Sequence, residues 1–121
     1  MNSQKYNLLL RKSNNAPLEP ITIIGNLLEE VYKLINCSHI TAIPLRSDVS
    51  VLIDEEIMLK NGYMNKTNFW YDSIFTNGNF APILNPQWIF GDVVFVGIDK
   101  NNDFVSLNSE QKEFINKYLF D

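Results

Sequence analysis

The sequence predicts an α+β fold in one domain: a small antiparallel β-sheet, two helices packed on it, and a long aromatic-rich loop. Three observations lead there. Short apolar or alternating runs recur between clusters of turn formers, two stripes of apolar residues have helical spacing, and residues 61–88 fit neither pattern. With 121 residues, 45% hydrophobic and 12% aromatic, the chain can close one core but has little surface for a second.

The first strand is expected in "KYNLLLRK", Lys5 to Lys12, ended by the turn formers of "SNNAPLEP". Pro17 and Pro20 then favour an irregular extended connector. The first helix is expected to start near Asn26, because Ile23, Ile24 and Gly25 disfavour helix and Asn26 with Glu29 has capping spacing. Its apolar stripe is Leu27, Leu28, Val31, Leu34 and Ile35.

"HITAIPLRSDVSVLIDEE" reads as a hairpin turning at Arg46 to Asp48, with Pro44 ending the first strand or lying at an edge. Ile89 to Ile98 reads as a strand whose nearly continuous apolar run suits the middle of a sheet, paired with Phe104 to Leu107 through "DKNND". The last helix has Asn108 as its N-cap, Gln111 three residues on, and a buried stripe of Phe114, Ile115, Tyr118 and Leu119. Between these elements, the 61–88 stretch carries Tyr63, Phe69, Trp70, Tyr71, Phe75, Phe80 and Trp88, and is too long for an ordinary connection.

Composition removes several functions. A net charge of −4 leaves no cationic surface to track duplex nucleic acid. One cysteine, Cys37, cannot form an internal disulfide, and neither a signal segment nor a run of about 20 apolar residues is present. A soluble protein in a bacterial cytoplasm is the expectation.

Asp54, Glu55 and Glu56 invite a metal or acid–base reading, but successive strand residues point to opposite faces. His39 and Cys37 are the sole histidine and thiol, and the glycines form no phosphate-binding loop. No metal, no cofactor and no catalysis are expected. A weaker alternative is an enzyme using Asp54, Glu55 or Asp92.

The aromatic stretch offers binding chemistry. Flat rings can stack on a base while the amides of Asn61, Asn65, Asn68, Asn77 and Asn79 read its edge, with Arg46, Lys60 or Lys66 facing phosphate. The same rings could instead complete the core or a subunit interface.

The run "VSVLIDEEIMLKNGYMN", then "IFGDVVFVG" and "DFVSLNSEQ", resembles a family of small domains of unknown function carried by phages, prophages and plasmids. Asp54, Glu55 and Glu56 match its acidic element, Leu59 and Lys60 the following step, and Asn65 its turn asparagine. Gly91 and Asp92 match its strand opening, and Ser106, Leu107, Glu110 and Gln111 the start of its closing helix. Ile57 and Met64 stand where the family has glycine and proline.

The resemblance implies a role against host defence. In size and layout the chain is also similar to the cyclic ADP-ribose sponges with which phages counter Thoeris defence. The leading expectation is therefore a non-catalytic homo-oligomer that sequesters a nucleotide-type signal. Phe69, Trp70 or Phe80 would stack on the base, Asn65 and Asn68 would fix its edge, and Arg46 or Lys60 would face phosphate. The alternative is an inhibitor or immunity-type protein that grips a host defence protein through the same aromatics.

Overall fold

The computed structural model describes residues 4–71 and 87–120. In chain order the elements are β1 (Lys5–Arg11), β2 (Leu18–Ile24), α1 (Leu27–Leu34), β3 (Ile40–Arg46), β4 (Val49–Asp54), β5 (Thr67–Tyr71), β6 (Gln87–Phe90), β7 (Val93–Ile98), β8 (Phe104–Val105) and α2 (Ser109–Ile115), which continues through a wide turn over Asn116–Phe120. Short 3-10 turns occupy Ile57–Leu59 and Tyr63–Asn65. The α+β class and the largely antiparallel sheet agree with expectation.

The main sheet runs β2-β1-β7-β4-β3, with β8 paired to β7 beyond the end of β1, and every pairing is antiparallel. Leu9, Phe95, Val51 and Ile43 form one row across four strands, and Leu10, Val94, Leu52 and Ala42 form the neighbouring row. Adjacent rows point to opposite faces. Because Val93 to Val96 are all buried, β7 is the two-sided central strand that its apolar run predicted.

β2 and β3 lie at opposite edges, so the connection through α1 must cross the sheet. Leu27 and Val31, with Ile35 just past the helix end, bury the face of α1. Leu28 and Leu34 lie outside that narrow stripe and stay exposed. Asn26 caps the helix as expected, its Oδ1 accepting from the Glu29 amide at 3.1 Å. In α2 the capping box is complete, with Asn108 and Gln111 each accepting from the other's amide at 2.8 Å.

Three expectations need correction. The connector with Pro17 and Pro20 is in part a strand: β2 pairs with β1 throughout, and Pro20 opposite Leu9 is tolerated because an edge strand needs donors on one side only. Of the two placements expected for Pro44 the edge is the one found: it sits within edge strand β3, beside a register shift before Arg46.

The run from Ile89 to Ile98 is two strands in two sheets. Gly91, at φ +85°, breaks it, and the chain passes from β6 in the second sheet to β7 in the first. The expected loop over 61–88 is in part that second sheet, since β5 and the start of β6 fall within it, while its residues 72–86 lie outside the described residues. Consecutive aromatics hid the alternation of β5, in which Phe69 and Tyr71 are buried while Trp70 points out.

Gly97 is required by the crowding of β7 against β8. A Cβ there would stand 2.6 Å from the Ser106 carbonyl oxygen and 3.1 Å from that of Val105. Gly97→Ala is expected to cost about 2 kcal/mol through forced separation of the strands. A urea unfolding curve checks it, and an unchanged midpoint would refute the close approach.

Candidate functional site

The second sheet is fastened to the first by a buried polar knot. Arg11, 8% exposed at the end of β1, donates from Nε to the Ala16 carbonyl at 2.8 Å and from Nη1 to both the main-chain and side-chain oxygens of Asn68. Asn68 Nδ2 returns hydrogen bonds to the Arg11 carbonyl at 3.0 Å and the Gly91 carbonyl at 2.8 Å. The guanidinium carbon also lies 3.9 Å from the centre of the Phe120 ring. Burial holds the Arg11 pKa below its ordinary value, so these carbonyls and the ring face are what keep the cation in place.

Asn68 is therefore committed to the fold, and it can bulge inward because the β5–β6 register shifts between Thr67 and Phe69. Phe69 is buried as well, with ring centres 5.9 Å from Phe95 and 6.1 Å from Phe120. Neither is placed to read a ligand.

The two expected phosphate cations are engaged internally. Arg46 donates from Nε to Asp48 at 2.6 Å and from Nη1 and Nη2 to Glu110 at 2.9 and 2.6 Å, and lies 4.6 Å over the Phe114 ring. Lys60 Nζ donates to the Asn36 carbonyl at 2.6 Å and reaches Asp54 Oδ2 at 2.7 Å. Among the described residues that oxygen accepts no directed hydrogen bond, and the Lys60 ammonium is what compensates it. Asn65 is exposed in the second 3-10 turn, and Phe80 lies outside the described residues. The structure does not gather Arg46, Lys60, Asn65, Asn68, Phe69 and Trp70 into one site.

The acid triplet diverges. Asp54 is buried, and its Oδ1 accepts from the Glu56 amide at 2.9 Å. Glu55 accepts from the Thr41 hydroxyl at 2.5 Å, and Glu56 lies 2.8 Å from His39 Nδ1. Asp92, the other acid singled out, accepts from the Ser13 amide at 2.9 Å and ties the β1–β2 turn to the start of β7. Among the described residues no group of three or more His, Cys, Asp or Glu side chains could hold a metal ion. Burial pushes the half-buried Cys37 thiol up, and Asp54 adds to that shift.

The second sheet leaves an apolar surface open to solvent. Trp70 and Trp88 face each other across β5 and β6, 45% and 48% exposed, with ring centres 5.6 Å apart and planes at 76°. Beside Trp88 a groove of about 340 Å³ separates β6 from the β3–β4 hairpin, walled by Ile43, Ile53, Ile57, Met58, Ile89 and Phe90. Thr41 and Glu55 stand on its polar side. Tyr63 closes edge-on to Phe90 at 5.0 Å. Sequence reading named neither Met58 nor Trp88 as a contact residue. In "TNFWY" the outward Trp70 is as apolar as the inward Phe69 and Tyr71, so no local signal marks it, and its partner Trp88 follows only from the β5–β6 register.

A second cleft of about 460 Å³ lies where the start of α1 faces β8, bordered by Tyr6, Asn26, Leu27, Asp99, Asp103 and Phe104. Asp99 Oδ1 is occupied by the amides of Asn101 and Asp103 at 2.8 and 2.9 Å. Among the described residues no cation lines this cleft.

Residues 6–119 match the family model described as a domain of unknown function, DUF3846, and the chain belongs to that family. No curated protein and no solved structure matches it. Among the described residues no helix is long and apolar enough to cross a membrane.

Two outcomes follow from this geometry. Asn68→Ala, which leaves Arg11 and the Gly91 carbonyl without their partner, is expected to cost about 3 kcal/mol in denaturant unfolding, at least twice the effect of Trp70→Ser on the same strand. Equal losses would mean that Asn68 is not part of the scaffold. Hydrogen bonds from Arg46 hold Asp48 and Glu110 below their ordinary carboxylate pKa values. Their stabilisation is therefore complete above the unfolded-state values near about 4 and is lost as pH falls through the lower folded values. Unfolding midpoints from about pH 5 down to about pH 2 should fall more steeply for the native protein than for Arg46→Met.

Proposed function

We propose that the protein is a non-catalytic binding protein of a phage or other mobile element, acting against host defence by gripping a host protein through its Trp70–Trp88 face. The observation that carries this reading is the outward aromatic pair, each ring about half exposed on a two-stranded sheet whose opposite face is buried. Tryptophan is the side chain most enriched among residues that dominate interface energies, and large apolar side chains clustered on a surface are a feature of partner sites. Met58, Leu59 and Met64 in the neighbouring 3-10 turns extend the exposed apolar surface. The mobile-element setting rests on the resemblance of the "VSVLIDEEIMLKNGYMN" and "IFGDVVFVG" runs.

Sequestration of a nucleotide-type signal has weaker support. Stacking on Trp70 or Trp88 is available, but Arg46 and Lys60 are paired with carboxylates, and among the described residues no cation lines the groove beside Trp88. A phosphate placed there would meet Glu55. Self-association through the same aromatic face is the homo-oligomer expectation in its present form.

Native mass spectrometry after incubation with a bacterial lysate tests the proposal. The native protein should carry a polypeptide of defined mass, and Trp70→Ser/Trp88→Ser should lose it, with affinity for the recovered partner down at least about 30-fold. Capture that survives the double substitution would overturn the assignment of the face. A gain of a few hundred daltons released intact on denaturation would support the nucleotide reading, and a doubled mass would support the homo-oligomer.

A further inference from the structure

The groove beside Trp88 restricts what that partner can present. Its walls are the aliphatic side chains of Ile43, Ile53 and Ile57, the exposed thioether of Met58, and the rings of Trp88 and Phe90. A volume of about 340 Å³ is at the small end of binding pockets, room for roughly one or two side chains. Flexible methionine beside aromatic rings accommodates several apolar shapes.

The charge on the walls has one sign. Among the described residues Asp54 and Glu55 are the ionisable ones that line the groove, and Asp54 is compensated by Lys60. Glu55 is exposed, and its hydrogen bond from Thr41 uses Oε1, so Oε2 takes no hydrogen bond among the described residues. Thr41 points its donor at Glu55 and is unavailable to an anion. Glu56, next along the chain, is occupied by His39. Among the described residues Glu55 is therefore the uncompensated carboxylate at the mouth, and it favours a cation.

We infer that the groove receives a protein segment that inserts an apolar side chain, Leu, Met or Phe, between Met58 and Phe90 and sets an adjacent Lys or Arg against Glu55. Charge complementarity selects this occupant: an acidic or phosphorylated segment would be repelled by Glu55, the one uncompensated charge among the described wall residues, and a wholly apolar one would leave that carboxylate half-desolvated. The inference rests on the reading of the Trp70–Trp88 face as a protein-binding surface, of which the groove is the continuation. It names the chemistry of the partner, not its identity.

Selection from a random twelve-residue peptide library displayed on phage, with the purified 121-residue chain as bait, tests it. Enriched peptides should carry an apolar residue flanked by Lys or Arg. Measured by fluorescence anisotropy, a synthetic copy should bind Glu55→Gln about fivefold more weakly and Met58→Asp more weakly still, with the Glu55 effect shrinking at high salt. Lys100, exposed in the turn between β7 and β8, lies outside the groove lining, so Lys100→Ser should leave the peptide affinity unchanged. Absence of enrichment, or enrichment of peptides without a basic residue and indifferent to Glu55, would overturn the inference. If that happened while Trp-dependent capture of a polypeptide persisted, the broader proposal would stand and the groove would have no part in it.

Discussion

The exchange of hydrogen bonds between Arg11 and Asn68 is the constraint on which the rest of the architecture depends. Both side chains are buried, and between them they join the end of β1, the turn at Ala16, the bulge in β5 and the Gly91 turn. A guanidinium out of water is costly unless its donors are met, and here it is met by carbonyl oxygens, an amide oxygen and the face of Phe120. The knot is polar inside an apolar layer, so it specifies one docking position for the second sheet, where Phe69 packing on Phe95 would by itself tolerate sliding.

Regular alternation and capping were legible in the sequence because each depends on neighbours a few residues apart. The central strand, the β3–β4 hairpin, the Asn26 and Asn108 caps and the antiparallel class all follow from such local signals. β2 and the second sheet were not, for two physical reasons. Proline forbids a strand only where both edges need donors, and whether β2 lies at an edge is settled by the whole sheet. In β5 the outward residue is as apolar as the inward ones, so hydrophobicity alone carries no period of two.

The candidate contact residues illustrate the same limit. Arg46, Lys60 and Asn68 have the right chemistry for a ligand, but chemistry does not reveal prior commitments. Glu110 is 64 positions from Arg46, and Asn68 is 57 from Arg11. Pairings at that separation become visible only once the sheet order is known, and each removes a residue from the pool that could face a partner. The acid triplet behaves in the same way, since Thr41, His39 and Lys60 each claim one carboxylate.

Once the internal pairings are subtracted, the surface of the second sheet holds an aromatic pair, a thioether-lined groove and one carboxylate with a spare oxygen. Scaffold and surface meet in a single five-residue strand: Asn68, Phe69 and Tyr71 point into the protein, and Trp70 points out. Alternation thus separates the two roles by one residue. A substitution at Phe69 removes the packing that positions the sheet, whereas one at Trp70 removes contact area while the Arg11 knot still holds the strand. Stability and partner binding are consequently separable by mutation within β5, because the forces that dock the strand and those that would engage a partner act on opposite faces of the same backbone.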